Sequence, residues 1–274
     1  MANPVLSKPD AFTRSSQYQG PQASYPQTQF PQQGYGQAYP QQGYAPAQPA
    51  GDRMSLDDVI AKTAITMLVL AVSAGATWFL MPSLTMVMPI MIVSMIVGLI
   101  TVVIVSRRQE IPIGGVLFYA VVEGVFVGAI SKLFETLYPG IVAQAVLATF
   151  VAAAMVLAAY KFFNIRVTPK FQKIVFLATA AFAGVMLVNL VLVLLNVQTG
   201  LVMIGSSAGW LAYAVSAVAI VLAVMNLIVD FDSVERGIAQ GAPARESWRA
   251  AFGMTITMVW LYIEILRVLS YFRN

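Results

Sequence analysis

Residues 119–131 read YAVVEGVFVGAIS. They lie inside an apolar run from Ile113 to Leu133 in which Glu123 is the only acid. A helix needs about 20 predominantly apolar residues to cross a bilayer, so the run is read as a membrane span. Ala120, Gly124 and Gly128 recur every four residues and form a ridge of small side chains against which another helix can pack closely. Glu123 falls about 100° around the helix from that ridge. An ionised carboxylate near the bilayer centre is costly, so Glu123 is expected to face protein or a wet cavity. Two readings follow: a protonated acid bonding a neighbouring helix, or a residue on an ion or proton pathway.

The rest of the chain repeats the pattern. Apolar runs extend over Thr63–Met81, Leu84–Ser106, Ile113–Leu133, Ile141–Lys161, Ile174–Leu195, Ala208–Val229 and Ala250–Tyr271, which predicts an all-α integral membrane protein with seven transmembrane helices. Composition agrees: the 274 residues are 59% hydrophobic and 10% charged, against about 25% charged in a soluble domain. The net charge of +4 is spread between apolar runs, which marks topology rather than a nucleic-acid surface. The first apolar run begins only near Thr63, so it reads as a retained anchor rather than a cleaved leader.

Residues 1–54 are expected to be a disordered cytoplasmic tail ahead of a transmembrane domain at 55–274. The tail is rich in Gln, Pro, Tyr and Gly and contains a short tandem repeat, PQQGYGQAY followed by PQQGYAPAQ. It is either a solvated extension or a docking arm. Ser55 and Asp58 have the spacing of a helix capping box leading into the first span. Lys and Arg concentrate in the tail and in the loops after the second, fourth and sixth runs, which predicts a cytoplasmic amino terminus. Seven spans then put the carboxyl terminus outside.

Cysteine and histidine are both absent. That excludes disulfides, thiolate nucleophiles, Cys/His zinc sites and imidazole bases, so proton-linked behaviour near neutral pH falls to carboxylates. GSSAG at Gly205–Gly209 fits G-x-S-x-G, but without histidine the usual base for that serine is missing. The chain is therefore read as a non-enzyme without a cofactor.

Two further groups of residues stand out. In the seventh run, Thr257, Trp260, Glu264, Arg267 and Tyr271 recur every three or four residues as one polar stripe, which implies a helix shielded from lipid. Glu264 and Arg267 are spaced to pair on one face. Glu264 and Glu123 both lie near the middle of their runs and are candidates for a shared polar centre. At the end of the sixth run, NLIVDFDSVERG places Asp230 and Asp232 at an expected helix C-terminus, where carboxylates oppose the macrodipole and call for a cation. Asp230 is the candidate metal ligand, although the segment lacks the remaining ligands of an EF-hand.

SRRQEIPIGGVLFYAVVEGVFVGAIS, TPKFQKIVFLATAAFAGVMLVNL, NLIVDFDSVERG and TMVWLYIEILRVL, in this order and spacing, resemble the Bax inhibitor-1 family, the transmembrane BAX-inhibitor-motif proteins, in a bacterial YccA-like form. The resemblance implies a bundle whose seventh helix is enclosed by the other six. It also implies a calcium or other cation leak through a bacterial plasma membrane, gated by paired acids on the sixth and seventh helices and latched by a base at the end of the second. Asp230 matches the sixth-helix acid and Arg107 the base, with Arg108 beside it. The seventh-helix acid falls on Thr257 when counted without a gap, or on Glu264 when LYIE is matched to the family's Leu-Tyr-Leu-Asp. Asp232 is a possible substitute partner. The alternative function is a non-transporting regulator acting through contacts with other membrane proteins, such as a membrane protease or a stress-response complex.

Overall fold

A computed structural model describes residues 53–81, 83–163 and 165–273. The expectations for residues 1–52, disorder and docking included, lie outside the described residues. Seven helices follow in order: α1 (Leu56–Leu80), α2 (Val87–Arg107), α3 (Ile113–Leu137), α4 (Ile141–Phe162), α5 (Pro169–Leu194), α6 (Trp210–Ala239) and α7 (Glu246–Tyr271). Each is long and apolar enough to cross a membrane.

The helix boundaries have local causes. Ser55 Oγ accepts the Asp58 N–H at 3.2 Å, so α1 starts at its capping box, about two turns before the apolar run. Thr168 caps α5 by accepting from Phe171 N, and Pro169 occupies the first helical position. Gly241, with φ +66°, terminates α6 in the left-handed conformation, and Ala242 N–H returns to Gly237 O at 3.0 Å.

That last boundary corrects the sequence reading. Asp230 and Asp232 do not end the sixth helix, because α6 continues to Ala239. Nothing in DSVERGIA breaks a helix before Gly241, and Arg236 in the last turn suits the dipole. Both acids are therefore mid-helix residues, and the macrodipole argument for a bound cation does not apply to them.

The tightest packing is α3 on α1, through the ridge of small residues. A Cβ at Gly124 would lie 2.5 Å from Leu70 O and 2.6 Å from Ser73 Cβ, and one at Gly128 would lie 2.9 Å from Thr77 Cβ. Ser73 Oγ donates to Val121 O at 2.7 Å across the same contact. Lys132 reaches over from α3 to the Trp78 and Met81 carbonyls at the C-terminal end of α1, a favourable place for a cation.

α7 is the most buried helix, with sixteen of its 26 residues buried and none of them fully exposed. It packs on α1, α3, α4 and α6, meets α5 through Trp260 and Phe182, and shares a hydrophobic cluster with Val102 and Val105 of α2. α5 is peripheral: only Val175, Thr179 and Asn189 are buried.

The two ends of the bundle are tied differently. At one end Met54 N–H bonds Ala242 O at 2.7 Å, and Lys62 joins Asp58 to Ala244 O. Arg249, itself buried, holds both Glu246 and the Gln109 carbonyl at 2.6 Å. At the opposite end Arg273 reaches Gln144, and Gly205 N–H bonds Ser270 Oγ.

Candidate functional site

Polar side chains converge along the seam between α6 and α7. Ser216, Asn226, Asp230 and Ser233 lie on one strip of α6 by helical spacing, and all four are essentially inaccessible. The polar stripe of α7 faces part of the same strip.

Asp230 has no exposed surface, and its Oδ2 accepts the Thr257 hydroxyl at 2.6 Å. Thr257 is 2% exposed. One turn away on α6, Asn226 Nδ2 donates to Thr179 Oγ1 of α5 at 2.9 Å and to Leu222 O at 2.8 Å. Further along, Ser216 Oγ and the Tyr271 hydroxyl are 2.9 Å apart. Glu264 is gripped by Arg267, with Nη1 at 3.1 and 3.0 Å from the two carboxylate oxygens, and the Ser216 hydroxyl and Trp260 indole lie beside it. The seam thus has an acid with a hydroxyl near one end and an ion pair near the other. The Asn226–Thr179 bond lies between them.

This register decides which α7 residue stands opposite Asp230. Glu264 is seven residues beyond Thr257, about 10 Å along the helix axis. It is paired there with Arg267. On α7, the Thr257 hydroxyl faces Asp230.

Asp232 points elsewhere. Two residues on from Asp230, it has turned some 200° around α6. Its Oδ2 makes an ion contact with Arg236 at 2.8 Å. Beside it the Tyr160 hydroxyl of α4 donates to Glu235 at 2.5 Å. This cluster braces α6 against α4 and is separate from the α7 face.

Glu123 also has surroundings of its own. Its carboxylate lies near the Tyr119 hydroxyl one turn back, and a Cβ on Gly98 of α2 would come within 3.2 Å of its Oε2. The absence of a side chain at Gly98 is what leaves room for it. Glu123 is therefore seated between α3 and α2, and Glu264 between α7 and α6. The structure gives these acids different neighbours rather than one shared centre. Tyr119, one turn back on α3, meets Phe252 of α7 edge-on at 5.0 Å. Arg107 and Arg108 are exposed at the end of α2.

A family model described as Bax inhibitor 1 like matches residues 3–274. The chain belongs to the Bax inhibitor 1 like family. A search of curated proteins finds no match. Within this Bax inhibitor 1 like chain, the sequence left the counterpart of Asp230 open between Thr257 and Glu264, with Asp232 as a substitute; the structure places Thr257 Oγ1 2.6 Å from Asp230 Oδ2. Two elements of the site escaped the sequence reading altogether. Asn226 sits four residues before Asp230, and that spacing was the available signal. The buried Arg249–Glu246 pair lay in what looked like an ordinary loop.

Proposed function

We propose that this protein is a cation leak, with calcium the favoured ion, whose pathway follows the α6–α7 seam and is closed at Asp230. The observation that carries this reading is the burial of Asp230. A carboxylate with no exposed surface inside a membrane helix, with a threonine hydroxyl at 2.6 Å, costs stability that a leucine would not. Such residues mark substrate or ion paths more often than they mark packing. Closure would be relieved when protonation or cation entry weakens what holds the acid. No covalent chemistry and no cofactor are asked of the protein. In this reading the basic end of the bundle faces the cytoplasm of a bacterial cell.

The test is calcium entry into liposomes containing the purified full chain and an entrapped indicator. Asp230→Asn is expected to change the flux and its dependence on pH. An unchanged flux profile would overturn the assignment of Asp230.

One observation favours the regulator reading. Arg53 bridges to Pro243 and Met54 to Ala242, so the described chain begins against the α6–α7 loop. Deletion of residues 1–50 separates the readings: a leak keeps its flux, whereas a regulator working through that segment loses its protein partner.

A further inference from the structure

A groove of about 430 Å³ opens between the end of α2 and the start of α3. Its walls change character with depth. Ile104 and Phe118 form apolar sides, Thr101 lies at the inner end, and Arg108 and Glu110 stand at the mouth. From Arg108 to Thr101 is seven residues of helix, so the groove reaches about 10 Å in from the end of the span. The walls meet closely: a Cβ on Gly115 would lie 2.9 Å from Val105 Cγ2.

The charges at the mouth are not equivalent. Glu110 is paired with Arg245 at 2.5 Å, which neutralises the one acid lining the groove. Arg108 is exposed and, among the described residues, has no carboxylate within ion-pair distance, and Arg107 adjoins it. The first turn of α3 begins here after Pro112 with no side-chain cap, adding backbone N–H groups of the same sign. A cationic mouth over an apolar slot, at the level where a span leaves the membrane, complements a molecule with an anionic head and an aliphatic tail.

We propose that the α2–α3 groove binds an anionic phospholipid, with the headgroup phosphate at Arg108 and an acyl chain along Ile104 and Phe118. The site is distinct from the α6–α7 seam. It lies next to Gln109, whose carbonyl Arg249 holds, and so adjoins the start of α7.

Native mass spectrometry of the full chain, released from micelles holding equal amounts of phosphatidylglycerol and phosphatidylcholine with matched acyl chains, tests this directly. The wild-type chain is expected to retain phosphatidylglycerol preferentially. Arg108→Gln should lower that preference by about fivefold, as expected for one basic residue at an anionic surface. Arg166→Gln, an exposed cation outside the groove, should leave it unchanged. Equal retention of both lipids by the wild type, or an equal loss in the two variants, overturns the proposal. Complete displacement by glycerol phosphate, which has the head without the chain, overturns it as well. Should Arg108→Gln fail to fold, the wild type alone decides, because a headgroup held by Arg108 loses its preference as salt is raised and a chain held only by apolar contact does not.

Discussion

Thr257 gives its hydroxyl to a carboxylate that no solvent reaches, and this bond joins α7 to α6 at the seam. The bond is also a test of the register. Thr257→Val keeps the shape and removes this donor to the buried carboxylate. The expected cost is about 1–3 kcal/mol, read from unfolding in detergent against the wild type. Ser270→Ala, which also loses a buried hydroxyl but lies 13 residues from Thr257 on α7, serves as the comparison for the flux assay, where only Thr257→Val should act on the seam. At this scale the sequence was partly informative. The Glu264–Arg267 pair follows from spacing within one helix, and it forms as expected. The Asp230–Thr257 pair joins two helices, and its register depends on where α6 stops and how the loop at Gly241 turns. A list of residues does not carry that information.

Among the elements, α1 and α3 show most plainly how small residues set a helix contact. The ridge at Ala120, Gly124 and Gly128 was visible from spacing alone, but its partner was not, since any helix can use such a ridge. The structure assigns it to α1, where Leu70 O and Ser73 occupy the space a side chain would need. Gly124→Ala is therefore expected to destabilise the fold by about 1–3 kcal/mol through overpacking, measured by thermal unfolding in detergent. Gly184→Ala on α5 is the control, because a Cβ there meets nothing within 4 Å. It should be neutral, or stabilising by up to about 1 kcal/mol, through helix propensity alone. Equal losses at both positions would mean that glycine flexibility, not the α1 contact, is what matters. α6 teaches the opposite lesson about legibility. Its apolar run stops at Val229, but its backbone continues helical to Ala239, because hydropathy reports the surroundings of side chains and not where hydrogen bonding ends. Both acids were misplaced to a helix terminus for that reason.

For the whole molecule, the termini of the described chain lie at opposite ends of the bundle, Arg53 beside Pro243 and Arg273 beside Pro139 and Gln144. That separation is what an odd number of spans requires, and the count of seven was legible because hydrophobic length is the strongest signal in a membrane sequence. Charge then polarises the bundle. Beyond the tail, every Lys and Arg except Lys132, Arg267 and Arg273 lies at or near the end that holds Arg53. Of these three, Lys132 caps α1 and Arg267 neutralises Glu264, so each has structural work at its own position. The asymmetry predicts that the Arg53 end stays in the cytoplasm. The absence of cysteine makes this easy to measure, since any introduced cysteine is the sole thiol. Val197 and Gln240 are exposed in loops at opposite ends of α6. In intact cells a membrane-impermeant maleimide should label Val197→Cys, and should label Gln240→Cys only after permeabilisation. The reverse pattern would invert the protein and place the Asp230 end of the seam outside. Labelling of both in intact cells would contradict a span between the two positions, because α6 is the only helix that separates them.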